Sequence, residues 1–246
     1  MKKTVNRSTL DECHYAIATF IENHTKDVLT KSDSYTIALS GGRTPVGLFK
    51  VLSNDRYRHS IEWAKVRFFW SDERFVPPTD PASNFLMAFD SLLSHLPVPE
   101  NHIFRAPTEA KNCAEAAVQY QQIISDYFSA QDADCSEYIK ADRYPRFDLI
   151  LLGMGADGHT ASLFPGHPAL QDANLIAAVE SEFANPPVPR LTFTLPLINS
   201  ADTVVFMVNG KDKIKVLESF IGSNVKNCLI PASMVAPQNQ LIWYIA

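Results

Sequence analysis

The 246-residue chain lacks most of the features that assign a protein class at sight. It has four cysteines, Cys13, Cys113, Cys135 and Cys228, and none forms a C-x-x-C pair. Zinc-finger and dithiol redox motifs are therefore absent. Scattered thiols of this kind fit a reduced, cytoplasmic protein. No apolar run approaches the roughly 20 residues of a membrane span. Met1-Lys-Lys-Thr4 resembles the start of a signal peptide, but Arg7, Asp11 and Glu12 interrupt any apolar segment behind it. The formal net charge is −5, which argues against nucleic acid as a partner, because phosphate backbones need a clustered basic face. A small anion held by a few local cations stays compatible with it. There is no G-x-S-x-G elbow and no G-K-[ST], so neither a serine hydrolase nor a Walker A nucleotide site is indicated. No His, Cys, Asp or Glu cluster has ligand spacing for a catalytic metal.

What is present reads as one α/β domain over residues 1–246, with a 46% hydrophobic content that is ample for a large core. Ser8 and Thr9 can cap a helix, and Leu10, Cys13, Ile17, Phe20, Ile21 and Val28 recur at helical spacing. Strands are expected at Tyr35–Leu39, Val66–Trp70, Phe147–Leu152, Leu175–Val179, Leu191–Leu195, Thr203–Val208 and Leu241–Ile245. Helices are expected from Val46, over Ala82–Leu93, over Ala110–Phe128 and over Lys211–Ile221. In the third of these, Ala114, Ala117, Val118, Ile124 and Phe128 mark the inner face. Ser129–Arg146 is polar and poorly periodic, a solvated excursion. Alternating strands and helices imply a mostly parallel sheet with helices on both faces.

Four loops that follow predicted strands carry chemistry, and parallel strands deliver their carboxyl ends to one edge. Ser40-Gly-Gly-Arg-Thr-Pro45 opens a helix, with glycines that permit close backbone approach and free N–H groups suited to an anion. It is equally read as a plain turn. Trp70-Ser-Asp-Glu-Arg-Phe-Val-Pro77 sets Asp72, Glu73 and Arg74 at a strand end, and its flanking aromatics suggest a loop packed down rather than a solvated charged turn. Arg74 there can grip a phosphate or carboxylate with two donors. Val208-Asn-Gly-Lys-Asp-Lys213 places Lys211 and Lys213 at a helix start, which is unfavourable unless an anion binds beside them.

The fourth loop follows the buried run Leu149–Leu152 and brings Asp157 two residues before His159, a carboxylate placed to orient an imidazole. Gly153, Gly155 and Gly158 also match the dinucleotide pattern G-x-G-x-x-G, with Glu180 downstream as the ribose acid. That reading needs a long helix starting in the loop, and Pro165 and Gly166 break it. Asp157 would also repel a pyrophosphate.

These segments together resemble the 6-phosphogluconolactonases of the glucosamine-6-phosphate isomerase/6-phosphogluconolactonase family. The resemblance rests on Ser40-Gly-Gly-Arg-Thr-Pro45, Ser71-Asp-Glu-Arg74, Val76-Pro77, Ser83-Asn84 and the Gly153–Gly166 segment. Pro187-Val-Pro-Arg190 with Thr192, and Gly210-Lys-Asp-Lys213, extend it over nearly the whole chain. It implies the fold shared with glucosamine-6-phosphate deaminase and ribose-5-phosphate isomerase. It implies a cofactor-free hydrolysis of 6-phospho-D-glucono-1,5-lactone, with that small phosphorylated lactone as the only partner and neither nucleic acid nor membrane involved. It also implies His159 as general base beside Asp157. Ser40, Gly41, Gly42, Arg43, Thr44, Asp72, Arg74, Arg190 and Lys213 are then the phosphate and substrate contacts. Deaminases of this fold resemble the chain too, but they carry a glutamate five residues after the histidine, where this chain has Phe164. A non-catalytic sugar-phosphate sensor is the third reading.

Overall fold

The computed structural model describes residues 1–131, 144–180, 184, 186–222 and 229–246. Its centre is a six-stranded, wholly parallel sheet built from β1 (Lys2–Asn6), β2 (Tyr35–Leu39), β3 (Val66–Trp70), β5 (Leu149–Gly153), β8 (Thr203–Val208) and β9 (Gln240–Ile245), in the order β1-β9-β8-β5-β2-β3. A second sheet of three short antiparallel strands joins β4 (Asp72–Arg74), β7 (Arg190–Phe193) and β6 (Ile176–Val179), in that order. The fold is α/β as expected; β6 and β7 stand close to two of the expected strands, Leu175–Val179 and Leu191–Leu195, while β4 and the separate antiparallel sheet they form were not expected.

Alternation along the strands explains why the main sheet needs two covered faces. Ile37, Leu39, Leu149, Leu151, Val205 and Met207 pack into one core, and Ala38, Ile150, Leu152, Val204, Phe206 and Val208 into the other. A strand buried on both sides reads as a continuous apolar run, which is why these strands were legible. The first core is covered by α1 (Leu10–Leu29), α2 (Thr44–Leu52) and α4 (Asn84–Ser91). The second is covered by α5 (Cys113–Gln131), α6 (Leu195–Ser200), α7 (Lys211–Glu218) and the small sheet. Thr9 caps α1 by accepting the Glu12 N–H, and the Glu12 carboxylate accepts the Ser8 N–H in return.

Several expectations are corrected. β1 was not among the expected strands, and its mostly exposed, lysine-bearing edge has no apolar signal. A short helix, α3 (Asp55–Ser60), went unread. The segment after Trp70 is a strand rather than a loop. The strand expected at Leu191–Leu195 ends at Phe193, because Thr194 caps α6 and Pro196 sits in its first turn. In α5, Ala114 and Val118 face solvent, and the inner face is Cys113, Ala116, Ala117, Tyr120, Ile124 and Phe128. Of the Ser129–Arg146 stretch, Ser129 to Gln131 complete α5, and 132–143 lie outside the described residues. Cys13 and Cys113 are buried free thiols, and Cys135 and Cys228 lie outside the described residues. No described helix is long and apolar enough to cross a membrane.

Glu73, on β4, ties the small sheet to α4. Its buried carboxylate accepts the backbone N–H groups of Arg74, Asn84 and Phe85, each at 2.7 Å, and the Ser83 hydroxyl at 3.3 Å. Burial pushes its pKa up to about 7, further than these bonds pull it down, and Asp72 adds to the rise. A carboxyl with a raised folded pKa favours the native state most below its ordinary value, and that contribution is lost as pH rises through about 7. Urea unfolding of wild type and Glu73→Gln from about pH 4.5 to 8.5 should show wild type losing on the order of 3 kcal/mol relative to the variant. A stability difference that stays flat over that range would show that Glu73 is ionised throughout.

Candidate active site

Past β5 the chain makes a tight turn with no helix behind it, so the dinucleotide reading has no supporting geometry. The Gly155 N–H reaches the His159 carbonyl at 2.9 Å, the Gly158 N–H reaches the Gly155 carbonyl at 3.1 Å, and the Thr160 hydroxyl holds the Gly153 carbonyl at 2.9 Å. Gly158 sits at φ +82°, in the left-handed region. Gly155 has no room for a side chain, since a Cβ there would lie 2.2 Å from His159 Nδ1 and 2.4 Å from Asp157 Oδ1. This turn therefore exists to seat a pair. His159 Nδ1 donates to Asp157 Oδ1 at 2.6 Å, and the same oxygen accepts the His159 N–H at 3.1 Å. A carboxylate only accepts, so Nδ1 carries the proton and Nε2 is left as the basic nitrogen. Burial pushes the Asp157 carboxyl up, but the bond and charge of His159 outweigh it and hold the group below the usual carboxylate range. The Phe164 ring, 5.0 Å from the imidazole, closes its other side.

Beside this turn, β2 ends in Ser40 and the chain enters α2 through Gly41, Gly42 and Arg43. Gly42 has φ +88°, and Arg43 at the cap makes no side-chain bond to the helix start, so the first N–H groups of α2 face outward unpaired by a cap. From α1, buried His14 donates to the Thr44 carbonyl at 3.1 Å and pins this entrance. Lys213 comes from the first turn of α7. Burial and the nearby Arg43 push its pKa down, while Asp157 pulls the other way. Two cations and a helix start thus converge without a resident anion among the described side chains except Asp157.

The third wall comes from the small sheet. Ser71 ends the main-sheet pairing by donating both its N–H and its hydroxyl to Leu39, and the next three residues pair with β7. The register sets Arg74 opposite Arg190 and Asp72 opposite Thr192. Asp72 lies 4.0 Å from the Arg190 guanidinium, and both side chains are 7% exposed. Asp72 Oδ2 also accepts the Ser162 hydroxyl at 2.8 Å, and the Ser162 N–H reaches the Thr192 hydroxyl at 3.1 Å. Burial pushes the Arg190 pKa down, Asp72 offsets part of this, and Arg74 adds to the fall. The Nε atoms of Arg74 and Arg190 are both buried without a hydrogen-bond partner. Buried donors left unpaired among the described residues cost free energy.

All these groups line one cleft at the carboxyl edge of β2 and β5. Ser40, Gly41, Gly42, Arg43, Thr44, Asp72, Arg74, His159, Arg190 and Lys213 meet there, and Asp157 stands behind His159. Among the described residues, Arg43, Arg74, Arg190 and Lys213 face a single lining carboxylate, Asp72, so this lining is cationic in a chain of net charge −5. Sequence reasoning missed the lining Gly153, Met154, Gly155 and Ala161, the last at φ +48°. It also missed Ser162 and Asn84 as site-building residues. Ser83-Asn84 lies within the helix expected over Ala82–Leu93, but nothing local tells which partner Asn84 meets.

The family profile of glucosamine-6-phosphate isomerases/6-phosphogluconolactonase matches residues 8–243. A 6-phosphogluconolactonase of Synechocystis sp. is 40% identical over 210 residues, covering 85% of this chain and 81% of that one. The crystal structure of 6-phosphogluconolactonase from Thermotoga maritima superposes with a TM-score of 0.83 at 26% identity, covering 100% of this chain and 99% of that one. A monomeric glucosamine-6-phosphate deaminase shares the fold, with a TM-score of 0.80 at 18% identity over 99% of this chain and 97% of that one. By its motifs, its cleft and these matches, the chain belongs to the glucosamine-6-phosphate isomerase/6-phosphogluconolactonase family.

Proposed function

We propose that the chain, acting as one domain over 1–246, hydrolyses 6-phospho-D-glucono-1,5-lactone to 6-phospho-D-gluconate in the pentose phosphate pathway. One observation carries this reading: a single cleft holds both a carboxylate-oriented imidazole and an anion cradle of four cations around a helix start. A phosphate seated in the cradle places the lactone carbonyl toward His159, and remote binding of this kind contributes to transition-state stabilisation.

In the proposed step, Nε2 of His159 takes a proton from water as its oxygen bonds to C1. Asp157 stabilises the imidazolium that forms. The negative charge that develops on the carbonyl oxygen meets the cationic cleft, with Arg74 or backbone N–H groups as the nearest candidates. Collapse of the tetrahedral intermediate breaks the bond from C1 to the ring oxygen. That oxygen receives the proton from His159 and becomes the sugar hydroxyl. No covalent enzyme intermediate, metal or cofactor enters. The deaminase reading lacks its acid at Phe164, whose buried ring packs against the imidazole. The sensor reading leaves the His159–Asp157 pair without a purpose.

His159→Ala should fold and lose about 100-fold or more in kcat, the loss typical of a missing general base. Near wild-type turnover in the folded variant would end the assignment. Removing Arg74 or Lys213 should weaken binding of the phosphorylated lactone by roughly 1.5–3 kcal/mol and barely affect unphosphorylated gluconolactone. Equal losses on both lactones would move the residue concerned from the phosphate to the reacting carbon. Dialysis against EDTA should leave the rate unchanged, and activity that vanishes and returns with one added metal would overturn the metal-free mechanism.

A further inference from the structure

We propose that Asn84 is a positioning residue that sets the separation between the Ser40–Thr44 loop and the Arg74 guanidinium, so that both address one anionic group of the ligand. This rests on the phosphate-recognition reading above. Asn84 is wholly buried at the first position of α4 and is not among the residues that line the cleft. Whatever it does for a ligand it does through others.

Both ends of its amide are engaged. Nδ2 donates to the Asp72 carbonyl at 2.8 Å, and Oδ1 accepts from Arg74 Nη1 at 2.5 Å. The same Nη1 also reaches the Ala82 carbonyl at 2.9 Å. One edge of the guanidinium is thus anchored, while Nε is buried with no hydrogen-bond partner among the described residues. The amide also touches the anion loop. A Cβ on Gly41 would lie 2.0 Å from Asn84 Oδ1 and 2.3 Å from Nδ2, so the Gly41 backbone rests directly on this side chain. Asn84 is itself held from beneath, because its backbone N–H is bound by Glu73 at 2.7 Å.

A helix-capping role does not account for this arrangement. Ser83 is the cap of α4, and its hydroxyl accepts the Leu86 N–H. The Asn84 amide contributes nothing to that cap and points instead at Arg74, Asp72 and Gly41. It is a spacer between the Gly41 backbone and the Arg74 guanidinium.

The test is a double-mutant cycle on Gly41→Ala and Asn84→Ala, read as KM and kcat on 6-phosphogluconolactone and on unphosphorylated gluconolactone. Each single variant should raise KM for the phosphorylated lactone about tenfold or more, the scale of one lost charge-assisted contact. The unphosphorylated lactone, which offers this pair no phosphate, should lose clearly less. The double variant should be no worse than Asn84→Ala alone within about twofold, because the new methyl group occupies the space the amide vacates. Losses that multiply in the double variant would overturn the spacer, as would wild-type KM in both single variants or equal losses on both lactones. If Asn84→Ala does not fold, Asn84→Ser takes its place in the cycle. The same cycle is also read as calorimetric affinity for 6-phosphogluconate. A wild type inactive on both lactones would sink the hydrolase reading, while this binding cycle still decides the role of Asn84.

Discussion

Three hydrogen bonds between Thr36 and Asp148 set the alignment on which the cleft depends. Asp148 Oδ2 accepts the N–H and the hydroxyl of Thr36, each at 2.7 Å, and the Asp148 N–H reaches the Thr36 hydroxyl at 2.9 Å. The regular ladder between β2 and β5 is short, with Ile37 opposite Leu149 and Ala38 opposite Ile150. A slip of one residue would send every side chain to the wrong core. The side-chain latch extends the ladder at its amino end and so determines where both strands finish. At the carboxyl end, β2 releases the Ser40–Thr44 loop and β5 releases the Gly153–Ala161 turn, side by side. The connections from β2 and β5 run outward in opposite directions across the sheet, to β3 and to β8. Open α/β sheets bind ligands at such a reversal.

Charge is distributed against the average of the chain. Antiparallel pairing of β4 with β7 puts Arg74 opposite Arg190, and like charges directly opposite each other destabilise a sheet. Asp72 and Glu73 offset part of that repulsion, and both are buried alongside it. Lys213 and Arg43 repeat the arrangement on the other wall, with α2's uncapped start between them. Like charges therefore face one another on both walls of the cleft.

The same division separates what was readable from what was not. The strands buried on both faces, β2, β3, β5 and β8, and the order of the four loops follow from local rules. So do the Thr9 cap and the pairing of Asp157 with His159 two residues apart. Of the small sheet, β6 and β7 were readable and β4 was not, since Asp72-Glu73-Arg74 has neither alternation nor apolar content and is a strand only because β7 lies beside it. Val118 was assigned to the inner face of α5 from its apolar character and is exposed, because the face is decided by what the helix packs on.

By itself, the sequence determined the class of fold, the Asp157–His159 pair, the glycine-rich entrance to α2 and the cations that line the cleft. These depend on residue type and short spacing, which act within a few bonds. Only the tertiary structure decided that Arg190 stands across from Arg74, that Ser162 holds Asp72, and that Asn84 separates Gly41 from Arg74. Those contacts join segments tens of residues apart. Strand register and the close fit of buried side chains select them, and neither leaves a local trace in the chain.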